Sequence, residues 1–326
     1  MSKSVVGLIL FGKPEATYGA GPSSALTGST DAIQTVLEHP VFDITYAYDG
    51  NRNGASFSGG NYRRGVSKGR TTEGTVKIEG KGAAATYTLA VTPPNIHPFL
   101  LASGLSGSLQ GASWLYKPQP LDWTTTSASM ALNVYSRGEL TPISGAVCTF
   151  TVGGADAGPA IFEFALQGLA GLPTTLASPP ARTWIGSGTI PPNNSDIALT
   201  IGSFSPVVKS WTYDHGIEIT DRMNLNAQDA HGGKALGRRN PTLKLTIEAP
   251  VLETYNPYDA QVSGTVAQVA FRVGTIANNR FFCSMSYAQI AELSQTAEGP
   301  EATMDITFAA SVLDASSNDD VVWGWN

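Results

Sequence analysis

Four short stretches alternate between apolar and polar residues, and this period of two constrains the fold more than any other feature of the chain. In Thr75-Val-Lys-Ile-Glu79, Val76 and Ile78 share one side while Lys77 and Glu79 share the other. Phe162, Phe164 and Leu166 oppose Glu163, and Met304, Ile306 and Phe308 oppose Asp305. Leu243, Leu245 and Ile247 likewise oppose Lys244, Thr246 and Glu248. Successive strand side chains point to opposite faces of a sheet, so such runs predict strands with one buried face. Between them, 35 Gly and 20 Pro punctuate the 326 residues. That is turn chemistry, and it predicts a mainly β protein. Helix is expected in two places. His97-Pro-Phe-Leu-Leu-Ala-Ser-Gly104 has Pro near a first turn and Gly as a stop. Asn256-Pro-Tyr-Asp-Ala-Gln-Val262 adds Asn256 as a cap. Thr30–Leu37 fits a helix or a strand equally well.

Landmarks in the first half recur in the second, in the same order. Tyr46-Ala-Tyr-Asp49 answers to Trp211-Thr-Tyr-Asp214. A polar, Gly-rich, basic stretch follows each, Gly50–Arg70 and His215–Arg239, and leads into an alternating strand ending at Glu79 or Glu248. Then come the Pro-aromatic segments, an apolar run with Cys148 or Cys283, and finally Ala157-Gly-Pro against Glu298-Gly-Pro. The spacing drifts, so insertions are needed, but the shared order implies a tandem duplication. The alternative is two β domains that share turn grammar. A Pro-rich connector at Gly168–Pro180 marks the join. The expected architecture is two tandem β-barrel or β-sandwich modules, residues 1–170 and 171–326, each with a short helix.

Hydrophobic residues make up 42%, enough for a core, whereas charged residues are only 14%. So few charges suit a surface covered by copies of the same chain, or equally a β protein rich in small polar residues. A net charge of −6 argues against gripping nucleic acid by neutralising phosphates. Val5–Phe11 is too short to cross a bilayer and has no cleavage site behind it, so a packed terminal strand or arm is expected and no membrane partner. Cys148 and Cys283 are far apart and outside any CxxC, which suits a reducing compartment and leaves one distant disulfide open.

No catalytic pattern emerges. His39, His97, His215 and His231 show no metal-ligand spacing, and His97, ahead of Pro98, reads as a capping or packing residue. There is no GxSxG elbow, and Gly232-Gly-Lys-Ala-Leu-Gly lacks P-loop spacing. Asn318-Asp-Asp320 reads as a polar turn. Neither enzyme activity nor a cofactor or metal is expected. The basic residues Arg63, Arg64, Lys68 and Arg70, with Lys234, Arg238 and Arg239 as their counterparts, could touch phosphate. Pairing with carboxylates of a neighbouring subunit is the preferred reading. Across the repeat, Glu79 matches Glu248 and Glu163 matches Asp305.

Several segments resemble the tail tube proteins of long-tailed bacteriophages (siphophages). They are Glu15-Ala-Thr-Tyr-Gly-Ala-Gly-Pro22, "HPFLLASG", "WLYKPQP" at Trp114–Pro120, "ISGAVCTFTVGG" at Ile143–Gly154 and "IFEFALQGL" at Ile161–Leu169. The resemblance covers roughly residues 10 to 170; the second half departs from it, with "NPYDAQVSG" and no partner for "WLYKPQP". The resemblance implies tail-tube-like β modules whose rings stack around a DNA channel. Two modules per chain would give a homotrimer with pseudo-sixfold symmetry. The implied partners are further copies of the chain, a tape measure protein and other tail proteins, with DNA passing unbound, and the implied location is the virion. The polar loops after Asp49 and Asp214 resemble the arm that reaches an adjacent ring, ordered on assembly. Glu79, Glu163, Glu248 and Asp305 would face the lumen, where carboxylates repel phosphate, or else solvent or a salt bridge. The rival readings are a β-sandwich adhesin or carbohydrate-binding module with exposed Trp platforms, and another tail component such as a terminator.

Overall fold

A computed structural model describes residues 9–15, 26, 32–33, 45–47, 71–79, 96–111, 113–119, 129–136, 138–155, 157–176, 192–223, 231–277, 279–298, 301–311 and 320–325. The protein is mainly β. In the first half lie β1 (Ile9–Pro14), β2 (Ala32–Ile33), β3 (Thr45–Ala47), β4 (Thr71–Glu79), α1 (His97–Ala102), β5 (Leu105–Gln110) and β6 (Ser113–Pro118). They are followed by β7 (Met130–Ser136), β8 (Glu139–Gly154), β9 (Ile161–Ala170) and β10 (Thr174–Thr175). The second half contributes β11 (Ile197–Ile201), β12 (Val208–Asp214), β13 (Ile217–Met223), β14 (His231–Arg239) and β15 (Thr242–Glu248). Then come α2 (Pro257–Val262), β16 (Ala267–Val273), β17 (Phe281–Glu298), β18 (Glu301–Ser311) and β19 (Val322–Trp325).

Pairing is antiparallel throughout. One ladder runs β2-β1-β7-β8-β9-β4-β3. A second runs β11-β16-β17-β18-β15-β12. Read along the chain, the two follow the same order from β1 or β11 inward. The start of β8 also carries β10 on its other edge, and the start of β17 carries β19. Two ladders stitch the halves together: β12 pairs with the end of β8, and β6 pairs with β19. The result is a single 17-stranded sheet curled into a half-barrel.

The alternating runs form β4, β9, β15 and β18 with their apolar sides buried. Val76, Ile78, Phe162, Phe164, Leu245, Ile247, Ile306 and Phe308 are all at most 2% exposed. The core does not divide at residue 170. Phe162 meets Phe281 and Trp323 edge-on at 5.2 and 5.8 Å, and Phe150 lies 5.9 Å from Tyr213. Aromatic pairs in such geometry add to the area they bury, so the halves stabilise each other.

The helices form where expected. Asn256 caps α2, its side chain accepting the Asp259 N–H at 3.1 Å. Both helices end alike: Ser103 Oγ donates to the Phe99 carbonyl and Ser263 Oγ to that of Asp259, ahead of Gly104 and Gly264 at positive φ. The repeated Ser-Gly is thus a stop that closes the last turn and lets the chain reverse.

Two expectations need correction. His215–Arg239 is no open loop but largely the hairpin β13–β14, because Thr220, Asp221 and Met223 find register partners in Ala235, Lys234 and His231. Its Gly content hid the strand pattern. The match of Tyr46-Ala-Tyr-Asp49 to Trp211-Thr-Tyr-Asp214 also fails residue by residue. Thr45 faces Glu73 and Asp214 faces Thr242, and Glu73 and Thr242 both lie six residues before the equivalent glutamates. Thr45, not Asp49, therefore stands at the position of Asp214.

Candidate functional site

The four nominated carboxylates lie on paired strands of the two ladders. Glu163 sits directly opposite Lys77 and accepts its ammonium at 3.0 Å, with both side chains partly exposed. Asp305 sits directly opposite Thr246, whose hydroxyl donates to it at 2.7 Å. In each half the carboxylate is thus held by the residue facing it on the neighbouring strand, on the side of the sheet away from the core. Glu248 shares Lys209 with Glu301, at 3.3 and 2.7 Å, and the two carboxylates raise the Lys209 pKa. Glu79 ends β4 opposite Ile161, as Glu248 ends β15 opposite Thr303. Pairs this exposed contribute little stability; what they set is the polarity of the face.

The basic set divides. Arg63, Arg64, Lys68 and Arg70 lie outside the described residues. Arg238 is exposed on β14. Lys234 is buried and pairs with Asp221 across the hairpin. Arg239 forms a bidentate pair with Asp320, at 2.7 and 2.8 Å, with both side chains largely buried. For Lys234 and Arg239 the carboxylates are supplied by their own chain, not by a neighbour. Asp320, read as part of a polar turn, is an internal anchor. The partnership spans 81 residues, so nothing local in the sequence signals it.

Two of the four histidines, His97 and His215, serve structure; His39 and the side chain of His231 lie outside what is described. His97 Nδ1 meets the Tyr116 hydroxyl at 2.8 Å, and burial pushes its pKa down to about 4. His215 stacks on Phe150 with ring centroids 4.7 Å apart. Its Nε2 lies 3.0 Å from the Ser103 carbonyl, so Nε2 donates and Nδ1 accepts from the Tyr213 hydroxyl at 3.1 Å. Burial, reinforced by the Arg239 charge, pushes His215 down to about 3. It belongs to the second half, yet it ties down the end of α1 in the first. The turn that aims it is visible in the sequence as Asp214-His-Gly216: Asp214 Oδ1 accepts the Gly216 N–H, and Gly216 adopts positive φ.

Cys148 and Cys283 are free, and burial raises both thiols, Cys148 to about 12. A thiol held protonated is a poor nucleophile. Among the described residues no three His, Cys, Asp or Glu side chains gather to hold a metal. Trp211, Trp323 and Trp325 are buried and Trp114 is half-buried, so none of these offers a stacking platform; Trp123 and Trp184 lie outside the described residues. A cavity of about 190 Å³ beside the β8–β12 junction is lined by Gly154, Asn194, Lys209 and Trp211.

What the arrangement offers is edges. β12 is paired on both sides, by β15 and by β8. Its counterpart β3 is paired only with β4 among the described residues. β17 loses its partner on one side after Ala288, where β16 ends, and Ser294, Gln295 and Thr296 are exposed. Unpaired strand edges are templates for another chain. No family model and no curated protein matches this chain.

Proposed function

We propose that this chain is a structural subunit of a siphophage-type tail tube, with two tandem tail-tube-like β modules. Three copies close a ring with pseudo-sixfold symmetry, and rings stack into a tube through which DNA passes. The observation that carries this reading is the repeated ladder order: each half runs through six corresponding strands and places its short helix at the corresponding point. A chain that already joins one such unit to the next through β8 and β12 has the means to join a further copy. Head-to-tail contact of this kind closes into rings or continues as filaments.

The polar face that carries Glu163, Glu248 and Asp305 also carries Lys77 and Lys209, paired with Glu163 and Glu248. As a lumen lining it holds these two cations against its own carboxylates, where they do not grip a duplex. On this reading the chain has no catalytic task, its partners are its own copies, a tape measure protein and other tail proteins, and it resides in the virion. The buried tryptophans weigh against a carbohydrate-binding adhesin. Electron microscopy of the purified protein tests the proposal. Open tubes with uniform axial striation are expected; single closed rings would favour a terminator, and a monomer at every concentration would overturn the reading.

A further inference from the structure

We infer that the Leu293–Ser294 edge of β17 is the docking site for β3 of a second copy of this chain, with Tyr46 and Thr45 facing these two residues in the register that β12 adopts on β8. The inference deepens the reading of the two halves as repeated modules and rests on it. Ile161 and Thr303 are equivalent, because they face Glu79 and Glu248. Gly153 faces Ile161 and Thr296 faces Thr303, so Thr296 stands at the position of Gly153 and Ser294 at that of Thr151. In the first half Thr151 faces Asp214, and Thr45 is the counterpart of Asp214. Ser294 therefore faces Thr45 of the next copy.

Three features of the edge point the same way. Neither it nor the strand just beyond has the devices that blunt edges: Ser294-Gln-Thr-Ala297 contains no Lys, no Pro and no bulge, the nearest irregularity lying between Ile290 and Glu292. Its counterparts Phe150 and Val152 are buried beneath β12, whereas Gln295 is exposed. The flank is ready, since α2 packs beside it and the Tyr258 hydroxyl reaches Gln295 Oε1 at 3.4 Å. The complementary edge of β3 has no described partner. One difference is built in. A Cβ at Gly153 would run into the Trp211 carbonyl, so β12 approaches β8 unusually closely there. Thr296, two residues beyond Ser294, requires the ordinary strand spacing.

His215 N–H donates to the Phe150 carbonyl, which makes Asp214–Thr151, one step along, a non-hydrogen-bonded pair with closely spaced side chains. Thr45–Ser294 inherits that geometry and is within disulfide reach. The test uses the full chain carrying Thr45→Cys and Ser294→Cys. Mild oxidation is expected to give intermolecular disulfides and covalent oligomers on non-reducing gels. The single variants and the out-of-register pair Thr45→Cys with Thr296→Cys should give only background. Gln295→Pro removes the N–H corresponding to that of Val152, which faces β12, and spares the ladder to β18. It should abolish assembly with the unfolding transition unchanged. Rings or tubes that form without the Thr45–Ser294 disulfide and survive Gln295→Pro would overturn the docking site and leave the tube reading standing. Cross-linked closed rings that never stack would keep the docking site and overturn the tube. A protein that neither cross-links nor assembles would overturn both.

Discussion

Strands β8 and β17 hold the same place in their ladders, yet their edges end differently. β8 is covered first by β7 and then by β12. β17 is covered by β16 as far as Ala288 and then by no described strand, only by α2 beside it. The nearby helices follow suit. Phe99, Leu100 and Ala102 of α1 are fully buried, whereas Tyr258 and Val262 of α2 are exposed, Val262 by 88%. α1 lies against β1, β5, β7 and β8, and the β5–β6 hairpin that follows it has no counterpart after α2. Equivalent backbone, then, does not mean equivalent burial. What differs is whether another piece of chain is available to finish the edge.

The strongest way to break the comparison is to attack the core that the halves share. Trp323 meets Phe150 and Phe162 of the first half and Tyr213, Phe271 and Phe281 of the second. Trp323→Ala should cost about 3–5 kcal/mol. It should lower one cooperative transition, read by calorimetry. If the first half instead melted unchanged, the halves would be independent domains and the shared core would carry no energy.

Acid probes the seam between the halves. The pKa of His215 is lowered to about 3 and that of His97 to about 4, from an ordinary 6.5. Between those values the unfolded chain takes up protons that the folded chain refuses. Their contribution to stability is therefore complete above pH 6.5 and is lost as pH falls toward 3 to 4. Each group contributes a slope of at most about 1.4 kcal/mol per pH unit. Urea midpoints measured across this range should fall with pH. In His215→Gln the slope should shrink by about one proton, whereas an unchanged slope would mean that the ring is already charged in the fold.

A smaller effect separates the two edges. Gly153→Val forces a side chain against the β12 backbone and should destabilise by about 1–3 kcal/mol. Thr296→Val, at the equivalent point of β17, should leave stability within about 0.5 kcal/mol, as exposed substitutions usually do. Equal losses in denaturant titrations would show that the β17 edge is already covered.

How far the sequence reveals this molecule depends on the range of each interaction. The four alternating runs announced β4, β9, β15 and β18, since burial of one strand face is written residue by residue. Ser-Gly stops and the Asn256 cap are equally local. The landmarks matched residue by residue less well: Asp49 is four residues from the position of Asp214, and Cys283 faces β16 whereas Cys148 lies beyond the part of β8 that β7 covers. The partnerships of Arg239 with Asp320 and of His215 with Ser103 were not legible, because no spacing rule links residues so distant in the chain. The hairpin β13–β14 escaped notice because Gly232, Gly233 and Gly237 lack the side chains through which a strand shows its period.

The helix caps give the finest contrast. α2 starts on Asn256, which accepts the Asp259 N–H, with Asp259 adding a favourable charge in the first turn. α1 starts on Ile96, which offers no side-chain cap but is fully buried. One helix is held by local chemistry, the other by the tertiary core. Asn256→Ala should therefore cost about 1 kcal/mol. The converse exchange, Ile96→Ser, supplies a cap but removes a buried side chain whose transfer alone contributes about 1.5–3 kcal/mol. It should destabilise, and by more than Asn256→Ala does. A stabilising Ile96→Ser in thermal melts would mean that α1 depends on its own hydrogen bonds after all, and that its burial is incidental.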